Sequence, residues 1–177
     1  MVSRKSPRMV KKFTAYSDGR LGLNLHSVRA ALGKGGVALA RDKREGDGKS
    51  PLGEWPIRYV FYRPDRVAKP ETALPVVALS PDDGWCDDPK HPDYNRRVKL
   101  PFEAGHEKLW RDDHVYDLIV VLGHNDDPPV AGMGSAIFMH LARDNYAGTE
   151  GCVALASDDL LELLKEAEPG SVVEIRE

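Results

Sequence analysis

Helical spacing is clear in one place in this chain, the run 156–170, ASDDLLELLKEAEPG, and almost every other apolar run is too short to be anything but a strand. In that run a serine at 157 is placed to cap a helix, Asp158 and Asp159 fall in its first turn, and Leu160, Leu161, Leu163 and Leu164 give an apolar face before Pro-Gly stops it. Upstream, 10–16 (VKKFTAY) and 19–25 (GRLGLNL) read as two strands joined through Ser17-Asp18-Gly19. Further strands are expected at 36–40, 57–62, 74–80, 117–123, 135–142 and 171–175, and a second short helix near 27–32. The runs DLIVVLG and SAIFMHLA are continuously apolar at strand length, as strands buried on both faces are. Many strands with one late helix make a mainly β domain. At 177 residues, one core is expected, a single domain over 1–177.

Two stretches resist this reading. In 44–56, Gly46, Gly48, Pro51 and Gly53 punctuate a loop. Between 81 and 109, Pro89, Pro92 and Pro101 break the chain into a long irregular segment whose Trp85, Tyr94 and Phe102 argue for docking against the rest of the protein.

Composition excludes some functions. A net charge of −3 offers no overall attraction to nucleic acid. No run approaches the roughly 20 apolar residues of a membrane span, and the basic start, MVSRKSPRMVKKFTAYS, lacks the apolar stretch of a signal peptide, which leaves open a cytoplasmic chain, one trimmed at its N-terminus and export by another route. Only Cys86 and Cys152 are present, too few for a disulfide scaffold at this size.

Chemistry concentrates in HLARDNYAGTEGCVAL, 140–155. Gly151 permits an unusual turn before Cys152 and leaves amide N–H groups available to an oxyanion. His140 ends an apolar run and would sit on a rigid strand as a base for the thiol. On its own the pair reads as a buried thiol and a satisfied strand-end histidine, since free cysteine is among the most buried residue types. His124, in the loop 123–136, is a rival base. Asn125, Asp126 and Asp127 beside it are ordinary turn formers or groups that orient a substrate amine. Among the scattered arginines, Arg143 lies between His140 and Cys152 and is best placed to clamp a carboxylate. In 83–96 Cys86, Asp87, Asp88 and His91 lack the paired spacing of a structural zinc site, so no metal is expected, and Trp85 is expected to face the cleft or the core.

The order of these features resembles the catalytic half of the YkuD-type L,D-transpeptidases. It is carried by His140, Thr149, Gly151, Cys152 and Val153, then the capped helix and closing strand, and upstream by KSPLGEWPI with Ser50, Pro51, Gly53 and Trp55. The resemblance spans most of 49–177. It implies a β-sandwich-like catalytic domain with one helix near its C-terminus and few short ones. It further implies a cysteine acyl-enzyme, peptidoglycan stem peptides as substrate, a role in cell wall biogenesis and cell shape, and a place in the periplasm or cell envelope. No cofactor and no obligate protein partner are implied. Cys152 would attack a carbonyl of the donor peptide with His140 as base and the Gly151 and Cys152 amides on the oxyanion. His124, Asn125, Arg143, Trp85 and Glu150 would contact substrate.

This sequence departs from the family pattern at four points. Glu150 stands where the family usually has histidine, Ala154 where it often has arginine or asparagine, and Leu141 where glycine or serine follows the histidine. The loop from His140 to Cys152 is also shorter than in most members. These departures leave two other readings open, a peptide hydrolase on the same machinery and a wall-binding module without catalysis.

Overall fold

The computed structural model describes residues 9–177. The basic residues 1–8, where the segment weighed as a leader begins, lie outside the described residues.

Among the described residues, thirteen strands and one α-helix follow in order. They are β1 Lys12–Tyr16, β2 Arg20–Leu23, β3 His26–Ala31, β4 Val37–Leu39, β5 Ser50–Tyr62, β6 Val76–Ala78, β7 Asp83–Cys86, β8 Arg97–Lys99, β9 His106–Lys108, β10 Leu118–Leu122, β11 Phe138–Leu141, β12 Val153–Leu155, α1 Ser157–Glu166 and β13 Val172–Arg176. Single 3-10 turns occupy Ala40–Asp42 and Asp144–Tyr146.

The domain is mainly β, as the short apolar runs require. Hydrogen bonding closes the main sheet into a barrel where the resemblance implies a sandwich. The order runs β10-β11-β12-β3-β2-β1-β13-β5, and β5 pairs again with β10. The long strand β5 makes the closure. Its first half pairs with β13, Glu54 opposite Glu174, and its second half with β10, Val60 opposite Val120. The expected loop at 44–56 is therefore strand from Ser50 onward. Gly53 takes φ +138 there, packed under the Trp55 ring, where β5 passes from its pairing with β4 (Leu52 opposite Leu39) to its pairing with β13 (Gly53 opposite Ile175).

Three further expectations are corrected. The segment 27–32 is strand as far as Ala31, since β3 pairs with β2 in a hairpin on one edge and with the distant β12 on the other, and these ladders override its local helix preference. Ser157 is the first helical residue, while Ala156 occupies the cap position without a side-chain bond. The segment 81–109 folds into a small sheet of its own, β8-β7-β9, docked outside the barrel.

Two cores result. The first holds Phe13, Leu21, Leu23, Val60, Leu118, Val120, Leu122, Met139, Val153, Val173 and Ile175, sealed by Leu160, Leu163 and Leu164 of α1. The second holds Phe61, Trp85, Leu109, Tyr116, Ile119, Val121, Phe138 and Cys152, between the barrel wall and the added sheet. Strand β10 sends alternate residues into each, which explains its unbroken apolar run.

Candidate active site

Alternation along β11 and β12 places the chemistry. Met139 and Val153, opposite each other in a parallel pair, point into the first core. Their neighbours point the other way, so Phe138, His140, Cys152 and Ala154 share the face covered by the added sheet. Cys152 and His140, each 6% exposed, line one cavity of about 340 Å³. Glu45, Asp87, Glu107, Arg111, Tyr116, Arg143, Thr149 and Glu150 also line it.

The turn before the cysteine is held from several sides. Thr149 donates its hydroxyl to the Cys152 carbonyl at 2.6 Å and accepts the Gly151 N–H at 3.0 Å. Its backbone is laced to Leu32 and Lys34. Ser50 Oγ donates to the Gly151 carbonyl at 2.7 Å, so the KSPLGEWPI segment anchors the turn before Cys152. Gly151 sits at φ +133, and a Cβ there would lie 2.7 Å from the Lys49 carbonyl oxygen. Only glycine fits. Because the Gly151 amide is engaged within the turn, the Cys152 amide is the one that makes no hydrogen bond among the described residues.

The sulfur lies between a donor and an acceptor. Phe138 N–H reaches Sγ at 3.4 Å, and the thiol donates to the Ala136 carbonyl at 3.2 Å. Burial pushes the thiol up to about 12. His140 bonds through Nδ1 to the Leu141 carbonyl at 3.0 Å. A carbonyl only accepts, so Nδ1 carries the hydrogen and Nε2 keeps a lone pair. Burial holds this imidazole down to about 4. At neutral pH the cavity therefore holds a thiol and a neutral imidazole, without a preformed ion pair. The neutral base persists until the pH falls to about 4, so the acid limb of kcat/KM is expected there. A limb near 6.5, the ordinary histidine value, would show that His140 does not set it.

Of the residues expected to contact substrate, the structure brings Glu150 and Arg143 to the cavity and leaves His124, Asn125 and Trp85 elsewhere. Glu150, its side chain 73% exposed, pairs with Lys34 and not with Arg143. Arg143 faces Asp113 at 3.5 Å, and Asp113 is held down to about 2 chiefly by its bidentate partner Arg111. His124 is buried against the Trp55 ring, centroids 4.7 Å apart, and lies outside the Cys152 cavity. Asn125 spends its side chain on the Val130 and Gly134 backbone, clasping its own loop. Trp85 packs edge-on against Phe138 at 5.0 Å and supports the strand behind the thiol. Cys86 is buried, and among the described residues no group of three or more His, Cys, Asp or Glu is arranged to hold a metal.

Three cavity residues carry no signal of spacing in the sequence. Tyr116 stacks edge-on to His140 at 5.5 Å and donates its hydroxyl to Glu107, while Arg111 lies over the Tyr116 ring at 5.3 Å. Burial raises both the Glu107 carboxyl and the Tyr116 phenol. This pair lines the cavity that also holds Cys152 and His140.

A family model for the L,D-transpeptidase catalytic domain, YkuD, matches residues 2–175. The chain belongs to the YkuD family. No curated protein and no solved structure matches it. As a YkuD domain it joins a family of cysteine-dependent transpeptidases that act on peptidoglycan stem peptides in the cell envelope. Among the described residues no helix is long and apolar enough to cross a membrane.

Proposed function

We propose that this YkuD domain, a single catalytic unit over 1–177, is a peptidoglycan L,D-transpeptidase that works in the cell envelope through a Cys152 acyl-enzyme. The observation that supports this most directly is that thiol and imidazole share one face of the β11–β12 pair at one cavity. His140 Nε2 takes the thiol proton as sulfur attacks the donor carbonyl, and the Cys152 amide stabilises the oxyanion. The same imidazole returns the proton to the leaving amine as the C–N bond breaks, leaving a thioester. The amine of a second stem peptide then attacks the thioester and gives a proton to His140, which passes it to the sulfur as the C–S bond breaks, restoring the thiol and the neutral imidazole. These steps use side chains and backbone alone, without a cofactor or a protein partner.

Arg143 is exposed at the cavity edge and offers its guanidinium to a substrate carboxylate. Glu150 is the candidate for receiving the acceptor amine. Its ion pair with Lys34 is solvent-exposed, of the kind worth about 1 kcal/mol or less, so an incoming ammonium can displace it.

The test is digestion of purified muropeptides followed by mass spectrometry. Cross-linked dimers support transfer. Trimmed monomers alone would make the protein a hydrolase on the same machinery, and an unchanged substrate with an unreactive thiol would make it a wall-binding module. Within the transpeptidase reading, Glu150→Gln is expected to spare acyl-enzyme formation, read as intact-protein mass, and to lower the dimer-to-monomer ratio severalfold. Faster acylation with an unchanged ratio would show that Glu150 only restrains the thiol.

A further inference from the structure

We propose that Asn95 is a positioning residue for the nucleophile, holding the Ala136 peptide in a left-handed conformation so that its carbonyl caps the resting Cys152 thiol. The inference rests on the cysteine mechanism above and assigns a task to the segment 81–109 that the reaction itself leaves without one.

Asn95 is 5% exposed and uses its side chain fully. Oδ1 accepts from Trp85 Nε1 at 2.9 Å and from the Ala136 N–H at 3.0 Å. Nδ2 donates to the His124 carbonyl at 3.1 Å and to the Asn125 carbonyl at 2.7 Å. One amide thus ties together the added sheet, the loop after β10 and the residue that enters β11. A buried amide with every valence filled is a rigid junction.

Ala136 is where that rigidity acts. It adopts φ +53, a conformation that residues bearing a Cβ avoid unless their surroundings impose it. Its N–H is held by Asn95 and its carbonyl accepts the Cys152 S–H. The acceptor favours the neutral thiol, and the opposing Phe138 N–H favours the thiolate. Asn95 therefore directs the sulfur through the Ala136 carbonyl, and that acceptor adds to the burial that keeps the thiol neutral until substrate arrives. Asn95 is itself left-handed at φ +57, a region that asparagine tolerates better than most residues.

The test measures alkylation of Cys152 by iodoacetamide as a function of pH, with Cys86→Ser as background so that one thiol reports. Asn95→Ala is expected to move the profile to lower pH and to speed alkylation at neutral pH by about threefold or more, because the acceptor that stabilises the neutral thiol is lost. Turnover is expected to fall about tenfold through kcat rather than KM, since a displaced nucleophile loses its attack geometry. Adding Ala136→Gly to Asn95→Ala is expected to restore much of the parent profile, because glycine takes a positive φ without the tether. Glu107 on β9, Tyr116, Lys43, His140 and Glu150 all face the thiol or its cavity and stay unchanged in every variant, so a displaced profile reports the Ala136 contact. A lower melting temperature with an unmoved profile and no rescue by glycine would overturn the proposal and make Asn95 a fold support only. Where Asn95→Ala does not fold, Asn95→Asp keeps the acceptor for the Ala136 N–H, and a profile displaced to lower pH in that variant would overturn it equally. Alkylation requires no turnover. A parent protein that alkylates but leaves muropeptides untouched refutes the transpeptidase reading and leaves this test intact.

Discussion

Cys152→Ala is expected to abolish turnover, with a loss of roughly a thousandfold or more, because no other group at the cavity can form the thioester. The fold should survive. The side chain sits at the edge of the second core, and the exchange removes one sulfur and its contacts to Phe138 and Ala136, a change expected to cost about 1 to 2 kcal/mol. Cys86→Ser is the matched control, since Cys86 is the second free thiol, lies in β7 and is not one of the residues that line the cavity. Steady-state assay of both variants on muropeptides, with melting curves alongside, reads the result. Activity kept by Cys152→Ala and lost by Cys86→Ser would overturn the assignment of the nucleophile.

His140→Ala is expected to slow acylation by roughly a hundredfold or more, the range for losing a general base. The thiol it leaves behind is held neutral by burial, so without the imidazole almost no thiolate is present at neutral pH. His124→Ala should behave differently. Its ring fills space beside Trp55, and burial, reinforced by nearby Lys43, holds it down to about 4, so its removal loosens the loop 123–136 and lowers stability before it touches chemistry. Intact-protein mass after rapid mixing with a donor peptide separates the two. A larger acylation defect in His124→Ala would reverse their roles.

The contrast between these histidines shows how far the chain could be read without its fold. Both follow an apolar run, and position in sequence only ranks them. Strand alternation separates them in space, because His140 falls on the same face as Cys152 once β11 and β12 are paired in register and His124 does not line that cavity. Glu150 shows the converse. Its departure from the family pattern is visible in the sequence, yet its partner, Lys34, comes from a loop distant along the chain. Arg143, nearer in sequence, turns to Asp113.

The sequence by itself determined the mainly β class, the positions of β1, β2, β4, β6, β10, β11 and β13, the helix α1, and the Thr-Glu-Gly-Cys turn. Each of these follows from local rules, the period of apolar residues or the backbone freedom of one glycine. Tertiary structure alone decided the rest. It made 27–32 a strand, ran β5 through a stretch punctuated by glycine and proline, closed the barrel between β5 and β10, and folded 81–109 into a sheet over the cysteine. It also brought Glu107, Tyr116 and Asn95 to the site from segments with no periodic signal. The physical reason is that a strand's partner is chosen by contacts far away in sequence. A side chain's hydrogen-bond partner is chosen only after the strands have paired, so neither choice is written in any local window of the chain.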